Sequence, residues 1–194
     1  MFYKFFQVLF HVYFCIFYRW QIEGLENIPS KGSFLVCANH TSWFDPPLLG
    51  AMLFKKRRIY FMAKEELFQV FILGKIVKLL GAFPVKRNKA DRRSLKRALQ
   101  LLERGEIVGL FPEGTRIKTG ELGKPFHGPA MIALKSGKPV LPVAIKWPSQ
   151  RFQKVKVKVG PLIYFQEEGK IKRKALEENS SRIMQAIKSI IATF

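Results

Sequence analysis

Short apolar runs alternate with helix-forming segments along most of this chain, and that alternation limits the folds open to it. The runs at 33–38 (SFLVCA), 58–63 (RIYFMA) and 107–111 (IVGLF) have the length and composition of strands buried on both faces. Between them lie helical patterns, of which 91–104 (DRRSLKRALQLLER) is the clearest, with one apolar face and a glycine directly after it. The alternation predicts an α/β fold whose mixed, largely parallel sheet is flanked by helices.

The remaining segments extend this pattern to the end of the chain. Residues 140–145 read as a strand, and Pro142 within it favours an edge strand or a bulge. At 154–159 (KVKVKV) strict alternation predicts valines facing inward and lysines on a solvated, edge-protecting face. A helical pattern over 173–194 should pack on the sheet. We therefore expect a single domain over 21–194, without internal repeats or a linker.

The first twenty residues differ from the rest. Residues 5–18 (FFQVLFHVYFCIFY) carry no formally charged side chain, and Lys4, Arg19 and Trp20 flank them like headgroup anchors. A membrane span needs about 20 apolar residues, so this run is short for crossing a bilayer. No small-residue cleavage site follows it, as a signal peptide would require. We predict a retained membrane-associating helix over 1–20, with a buried core helix as the alternative.

The charge balance narrows the choice of partner. The chain has 34 Lys and Arg against 14 Asp and Glu, a net charge of +20, which favours a polyanionic partner. No nucleic-acid-binding motif is legible, so we expect an anionic membrane surface rather than nucleic acid. With the N-terminal helix, this predicts peripheral or monotopic attachment to the cytoplasmic face of the cell membrane.

Reactive side chains follow the first apolar run, in Asn39-His40-Thr41-Ser42-Trp43-Phe44-Asp45. A histidine at a strand end can be oriented by a carboxylate five residues on, which leaves its other nitrogen as a base. Asp45 followed by two prolines also fits a plain helix N-cap, opening a helix to about residue 54. An ordinary loop histidine beside an N-cap therefore remains open. Ser42 lacks a strained glycine turn and is interpreted as structural.

A second polar loop, Phe111-Pro112-Glu113-Gly114-Thr115-Arg116, follows the strand at 107–111. Gly114 permits close backbone approach, Thr115 adds a hydroxyl, and Arg116 offers the planar fork that suits a phosphate monoester. A polar turn with a surface arginine is the simpler interpretation.

The two loops together resemble the signature of the glycerophospholipid acyltransferase family, the bacterial 1-acylglycerol-3-phosphate acyltransferases in particular. Four further segments resemble family motifs in the same order: 63–67 (AKEEL), 81–87 (GAFPVKR), 126–133 (FHGPAMIA) and 140–143 (VLPV). The resemblance covers about residues 22–145. Lys86 stands where many members have Asp, and His127-Gly128-Pro129 replaces a commoner Lys-x-Gly-Ala, which affects only details of acceptor binding.

The resemblance implies roles for individual residues. His40 would be the general base and Asp45 its orienter. The acceptor's phosphate would bind Lys64, Arg87 and Arg116, in a pocket that Glu113 and Gly114 shape and to which Thr115 contributes.

The resemblance also implies the reaction. A fatty acyl group would pass from acyl-CoA or acyl-carrier protein, as donor substrate, to the sn-2 hydroxyl of lysophosphatidic acid, giving phosphatidic acid. No cofactor is implied and no metal-ligand spacing is evident. Two alternatives stay open: a related acyltransferase with another lysolipid acceptor, and a non-enzymatic module that binds anionic membranes.

Overall fold

The computed structural model describes residues 2–53, 57–86, 91–116, 123, 125–148, 154–167 and 169–194. Within these residues the α-helices are α1 Phe2–Tyr18, α2 Asp45–Met52, α3 Phe71–Leu79, α4 Arg92–Glu103, α5 Gly128–Ser136 and α6 Arg173–Ile191. The strands are β1 Gln21–Glu23, β2 Leu35–Ala38, β3 Ile59–Lys64, β4 Phe83–Val85, β5 Ile107–Leu110, β6 Val140–Lys146 and β7 Lys156–Val159.

The described strands form one sheet in the order β1-β7-β6-β2-β5-β3-β4. All neighbouring pairs are parallel except β6 and β7, which are antiparallel. The predicted α/β fold with a mixed, largely parallel sheet is therefore confirmed. Strand β1 was not predicted from the sequence, because its three residues show no pattern that distinguishes a strand from a loop.

Helices cover both faces of the sheet because its central strands are apolar on both sides. In β2, Val36 and Ala38 pack towards α1 and α2, whereas Leu35 and Cys37 pack towards α4, α5 and α6. All four side chains are fully buried. The continuous apolar run that predicted a strand is thus explained by two separate cores.

Pro142 lies in an interior strand, so its interpretation as an edge residue is wrong and its interpretation as a bulge is right. Strand β6 lies between β2 and β7. Val140 pairs with Ile163, but Val143 pairs with Val159, so the partner segment holds one extra residue beside Pro142. This local break in the ladder accommodates the missing N–H of proline.

The alternating strand β7 is interior too. Val155, Val157 and Val159 are buried as predicted. Because β1 pairs with β7 on its outer side, the lysines do not protect a sheet edge, and that part of the prediction is wrong. One of them, Lys158, instead pairs with Glu23 of β1 at 3.1 Å.

Helix α1 is held on the domain by polar contacts as well as by packing. The Tyr3 hydroxyl accepts a hydrogen bond from the Ile59 N–H at 3.0 Å. The Gln7 side-chain amide donates to the Gly50 carbonyl, also at 3.0 Å, at the carboxyl end of α2. Phe14 is fully buried. One face of α1 is thus a core helix, as the alternative interpretation held.

The other face of α1 is exposed and apolar. It carries the side chains of Phe2, Phe5, Val8, Leu9, Val12, Ile16 and Phe17. Helix α3 adds a further exposed apolar set: Phe71, Ile72, Ile76 and Leu79. Among the described residues, no helix is both long enough and apolar enough to cross a membrane.

Asp91 is the N-cap of α4 and also ties the helix to β4. Its carboxylate accepts from the backbone N–H groups of Arg93 and Ser94, and from that of Lys86 just after β4. Partial burial alone would raise the pKa of Asp91, but these three N–H donors outweigh it and lower the pKa below its ordinary value.

Replacing Asp91 with alanine should therefore lower the free energy of unfolding by about 1 kcal/mol at neutral pH. Since the folded-state pKa is depressed, this contribution is present above the unfolded-state pKa and is lost as pH falls through the folded-state value. Urea unfolding at neutral and at strongly acidic pH measures it, with Glu103→Ala at the exposed end of α4 as the control. An equal loss at both pH values, or one no larger than that of the control, would contradict this role.

Candidate active site

The two polar loops meet because the strands that carry them are parallel neighbours. In the register of β2 and β5, Cys37 lies opposite Leu110, so the residues after each strand emerge side by side. Residues beyond the carboxyl ends of parallel strands share one edge of the sheet, where ligands of α/β folds commonly bind. His40 and Glu113 come together there.

His40 and Asp45 form the pair that the sequence indicated. The His40 Nδ1 atom lies 2.8 Å from Asp45 Oδ2. The Asp45 side chain is fully buried, whereas 12% of the His40 side chain is exposed. With Nδ1 engaged by the carboxylate, Nε2 is the nitrogen left to exchange a proton with a bound substrate.

The Asp45 carboxylate accepts three further hydrogen bonds. Oδ2 accepts from the backbone N–H groups of Thr41 at 2.7 Å and Ser42 at 2.8 Å. Oδ1 accepts from the indole N–H of Trp147 at 2.6 Å. Asp45 is therefore not the N-cap of α2, because its side chain turns back to the loop and Phe44 occupies the cap position. The interpretation as a plain N-cap is wrong.

The His40 ring is also fixed by stacking. It lies on the Phe111 ring with centroids 4.0 Å apart and planes inclined by 17°. Phe111 in turn stacks on Phe61 at 5.9 Å. Gly109 makes room for this stack, since a Cβ atom there would collide with the Phe61 ring. The imidazole is thus held by a hydrogen bond at its edge and by an aromatic ring at its face.

Glu113 locks the two loops together. Its carboxylate accepts the backbone N–H of His40 at 2.9 Å, and the side chain is buried. Burial raises the pKa of Glu113 above its ordinary value, although the N–H groups of His40 and Gly123 favour the ionised form. The first role of Glu113 is to hold the backbone of His40.

The residues that were predicted to bind the phosphate differ in their surroundings. The Arg116 guanidinium lies 3.7 Å above the ring of Trp43, three residues from His40 in sequence. Lys64, at the end of β3, is half-exposed and pairs with Glu66 at 3.0 Å. Thr115 is exposed. Arg87 lies outside the described residues, so its predicted role stays a prediction.

Gly114 is in the left-handed region with φ of 65°, and its N–H donates to the Phe111 carbonyl. A Cβ atom there would lie 2.6 Å from the Phe126 ring. Glycine is therefore required both for the turn and for the close approach of Phe126.

Residues 19–146 match the family model described as Acyltransferase. This chain belongs to the acyltransferase family. Its relatives include the 1-acyl-sn-glycerol-3-phosphate acyltransferase of Bacillus subtilis, 37% identical over 142 residues, which cover 72% of this chain and 70% of that protein. The enzyme of the same name from Pseudomonas aeruginosa is 31% identical over 162 residues, covering 78% of this chain and 62% of that one. This chain thus spans less than two thirds of some of its relatives.

A lyso-ornithine lipid O-acyltransferase of Pseudomonas aeruginosa is also similar, with 38% identity over 112 residues, 57% of this chain and 42% of that protein. Among solved structures, the 1-acyl-sn-glycerophosphate (LPA) acyltransferase PlsC of Thermotoga maritima matches with a TM-score of 0.72 and 28% identity. The match covers 98% of this chain and 78% of that one.

In this acyltransferase, His40 and Trp43 help to line an apolar cavity of about 290 Å³. Its walls come from α1, α2 and α3, with Phe6, Ala51 and Ile76 as examples. A second cavity, of about 540 Å³, lies beside the starts of α4 and α5 and shares Phe111 with the first. Both cavities therefore meet at the aromatic ring on which the catalytic candidate rests.

Two side chains that organise this acyltransferase site were missed in the sequence. Asn39 bridges β2 to β6, since its amide donates to the Ile145 carbonyl and accepts from the Ile145 N–H, each at 2.8 Å. Trp147 lies beyond the family motifs. A tryptophan directly after a strand that neighbours β2 was the available signal, but only the sheet order reveals it. Among the described residues, no cluster of His, Cys, Asp and Glu could hold a metal ion.

Proposed function

We propose that this chain transfers a fatty acyl group from acyl-CoA or acyl-carrier protein to the sn-2 hydroxyl of 1-acyl-glycerol-3-phosphate, giving phosphatidic acid. The observation that carries the proposal is the His40–Asp45 pair at 2.8 Å beside an apolar cavity. The names of the relatives from Bacillus subtilis and Pseudomonas aeruginosa support the same acceptor.

The proposed reaction follows from the way His40 is held, with Nδ1 bound to Asp45 and Nε2 left to face the substrate. Its Nε2 takes the proton of the acceptor hydroxyl as that oxygen attacks the thioester carbonyl, and Asp45 stabilises the resulting imidazolium. The tetrahedral intermediate collapses with cleavage of the C–S bond, and the imidazolium returns the proton to the departing thiolate. An ester bond replaces a thioester bond, and His40 regains its starting state.

The cavity beside His40 suits a hydrocarbon chain. At about 290 Å³ and lined mainly by apolar side chains of three helices, it shields a fatty chain from water. Arg116, held over the Trp43 ring, places a positive charge at the same edge of the sheet. An acyl chain and a phosphate bound in this way would bring a glycerol hydroxyl to His40.

The exposed apolar faces of α1 and α3 support attachment to a membrane. Both helices also line the cavity beside His40, so a surface that enters a bilayer would bring the site to its lipid substrate. The net charge of +20 favours an anionic membrane, such as the cytoplasmic face of the cell membrane. Peripheral or monotopic attachment is the form that this surface suits.

A panel of acceptors tests the proposed function. The purified chain, with vesicles and a radiolabelled acyl-CoA or acyl-carrier protein, is offered lysophosphatidic acid, lyso-ornithine lipid, glycerol-3-phosphate and lysophosphatidylcholine. Lysophosphatidic acid has a phosphate monoester, which lyso-ornithine lipid and lysophosphatidylcholine lack, and a fatty chain, which glycerol-3-phosphate lacks. It should therefore be preferred by about tenfold or more in kcat/KM.

Preference for lyso-ornithine lipid would instead favour the second candidate, which the relative of that name supports. If no acceptor is acylated and the chain binds anionic vesicles, the proposed function is wrong and the chain is a membrane-binding module instead.

Arg116→Ala should raise the KM for lysophosphatidic acid and lower kcat/KM by about 10- to 100-fold, while kcat at saturation changes little. The reason is that a phosphate contact exists both before and during the reaction. Arg182→Ala is the matched control. Its guanidinium also lies over an aromatic ring, that of Phe165, but Arg182 belongs to α6. A collapse of kcat that excess acceptor does not restore would contradict this role for Arg116.

A further inference from the structure

The two oxygens of the Asp45 carboxylate are held differently. Oδ2 faces His40 and two backbone N–H groups, all belonging to its own loop. Oδ1 accepts from the Trp147 indole, 102 residues away in sequence, at 2.6 Å. Since the carboxylate is fully buried, loss of that donor would leave Oδ1 without water to replace it.

Trp147 is itself firmly placed from the sheet side. It follows β6, whose Ile145 is bound to Asn39 of the β2 loop by two hydrogen bonds of 2.8 Å. The indole is therefore presented to Asp45 by a strand rather than by a free loop. The position of the strand thus fixes the direction from which the indole N–H meets Asp45 Oδ1.

Helix α1 supports the same indole from the other side. The Trp147 ring contacts Tyr18 at 5.3 Å and Phe14 at 6.2 Å between centroids, both edge to face. Phe44, next to Asp45, lies 6.3 Å away. Trp147 thus touches α1, the start of α2 and the carboxylate at once.

We propose that Trp147 is a positioning residue for Asp45, and that through it α1 helps to hold the His40–Asp45 pair in its reactive orientation. The inference rests on the proposed function, but it adds a residue outside the family motifs. A carboxylate held at both oxygens cannot rotate about its Cβ–Cγ bond, so Oδ2 stays directed at His40 Nδ1. The N-terminal helix therefore supports the geometry of catalysis as well as lining the lipid cavity.

The test compares Trp147→Phe with Trp20→Phe in acyl transfer to lysophosphatidic acid. Trp20 is a matched control, because its indole also contacts Phe14, at 5.7 Å, but donates to Cys15 Sγ instead of Asp45. Trp147→Phe should lower kcat by about 10- to 100-fold, the effect of a lost hydrogen bond to a charged group, while the KM values of both substrates stay close to wild type. Trp20→Phe, which keeps an aromatic ring beside Phe14, should leave kcat unchanged.

A kcat for Trp147→Phe equal to that of Trp20→Phe would overturn the proposal, as would a raised KM with unchanged kcat. If Trp147→Phe is less stable than the control, replacement of the indole by benzothiophene decides. That ring keeps the shape and lacks the N–H, and it should still lower kcat. Full kcat in the benzothiophene variant would show that only packing matters.

A measurement on the ligand-free protein separates this proposal from the proposed function. The chain has 3 tryptophans, so its indole N–H resonances are few, and the one missing in Trp147→Phe identifies itself. The indole proton that gives this resonance should exchange slowly with solvent. The chemical shift of the resonance should move when Asp45 is replaced by asparagine. If it does not move, the contact is absent and the proposal fails, whatever the activity. If it moves but no acceptor is acylated, the proposed function fails alone.

Discussion

The buried carboxylate of Asp45 is the constraint on which the rest of the site depends. A charge removed from water must be compensated by hydrogen bonds from its surroundings, or it destabilises the fold by several kcal/mol. Here the compensation comes from His40, from two backbone N–H groups of the same loop and from Trp147. The loop after β2, the start of α2 and the end of β6 must therefore all be in place before the carboxylate is satisfied. The hydrogen bonds that compensate the buried charge therefore also orient the histidine.

The sheet provides the framework for this arrangement. Because β2 and β5 are parallel neighbours, the loop with His40 and the loop with Glu113 leave the sheet together, and Glu113 joins them through the His40 N–H. Phe111 adds a flat surface for the imidazole and lines both cavities. His40 itself lines the smaller of the two cavities.

Much of this could be predicted from the sequence, and the limits have physical causes. The apolar runs predicted the strands because a strand that is buried on both faces is apolar at successive positions, whatever its place in the sheet. The His40–Asp45 pair was predictable because it is local, five residues apart. Trp147 was not, since its contact with Asp45 spans 102 residues and depends on β6 lying beside β2. The interior position of Pro142 was hidden for a similar reason, because a bulge in the partner segment compensates for the proline.

The proposed function depends on His40 acting as the general base in acyl transfer. Single-turnover transfer from a radiolabelled acyl thioester to lysophosphatidic acid, measured with wild-type protein and with His40→Ala, tests it most directly. The alanine variant should transfer the acyl group about 10²- to 10⁴-fold more slowly, with thermal unfolding close to wild type. Transfer by His40→Ala at near-wild-type rate would contradict it.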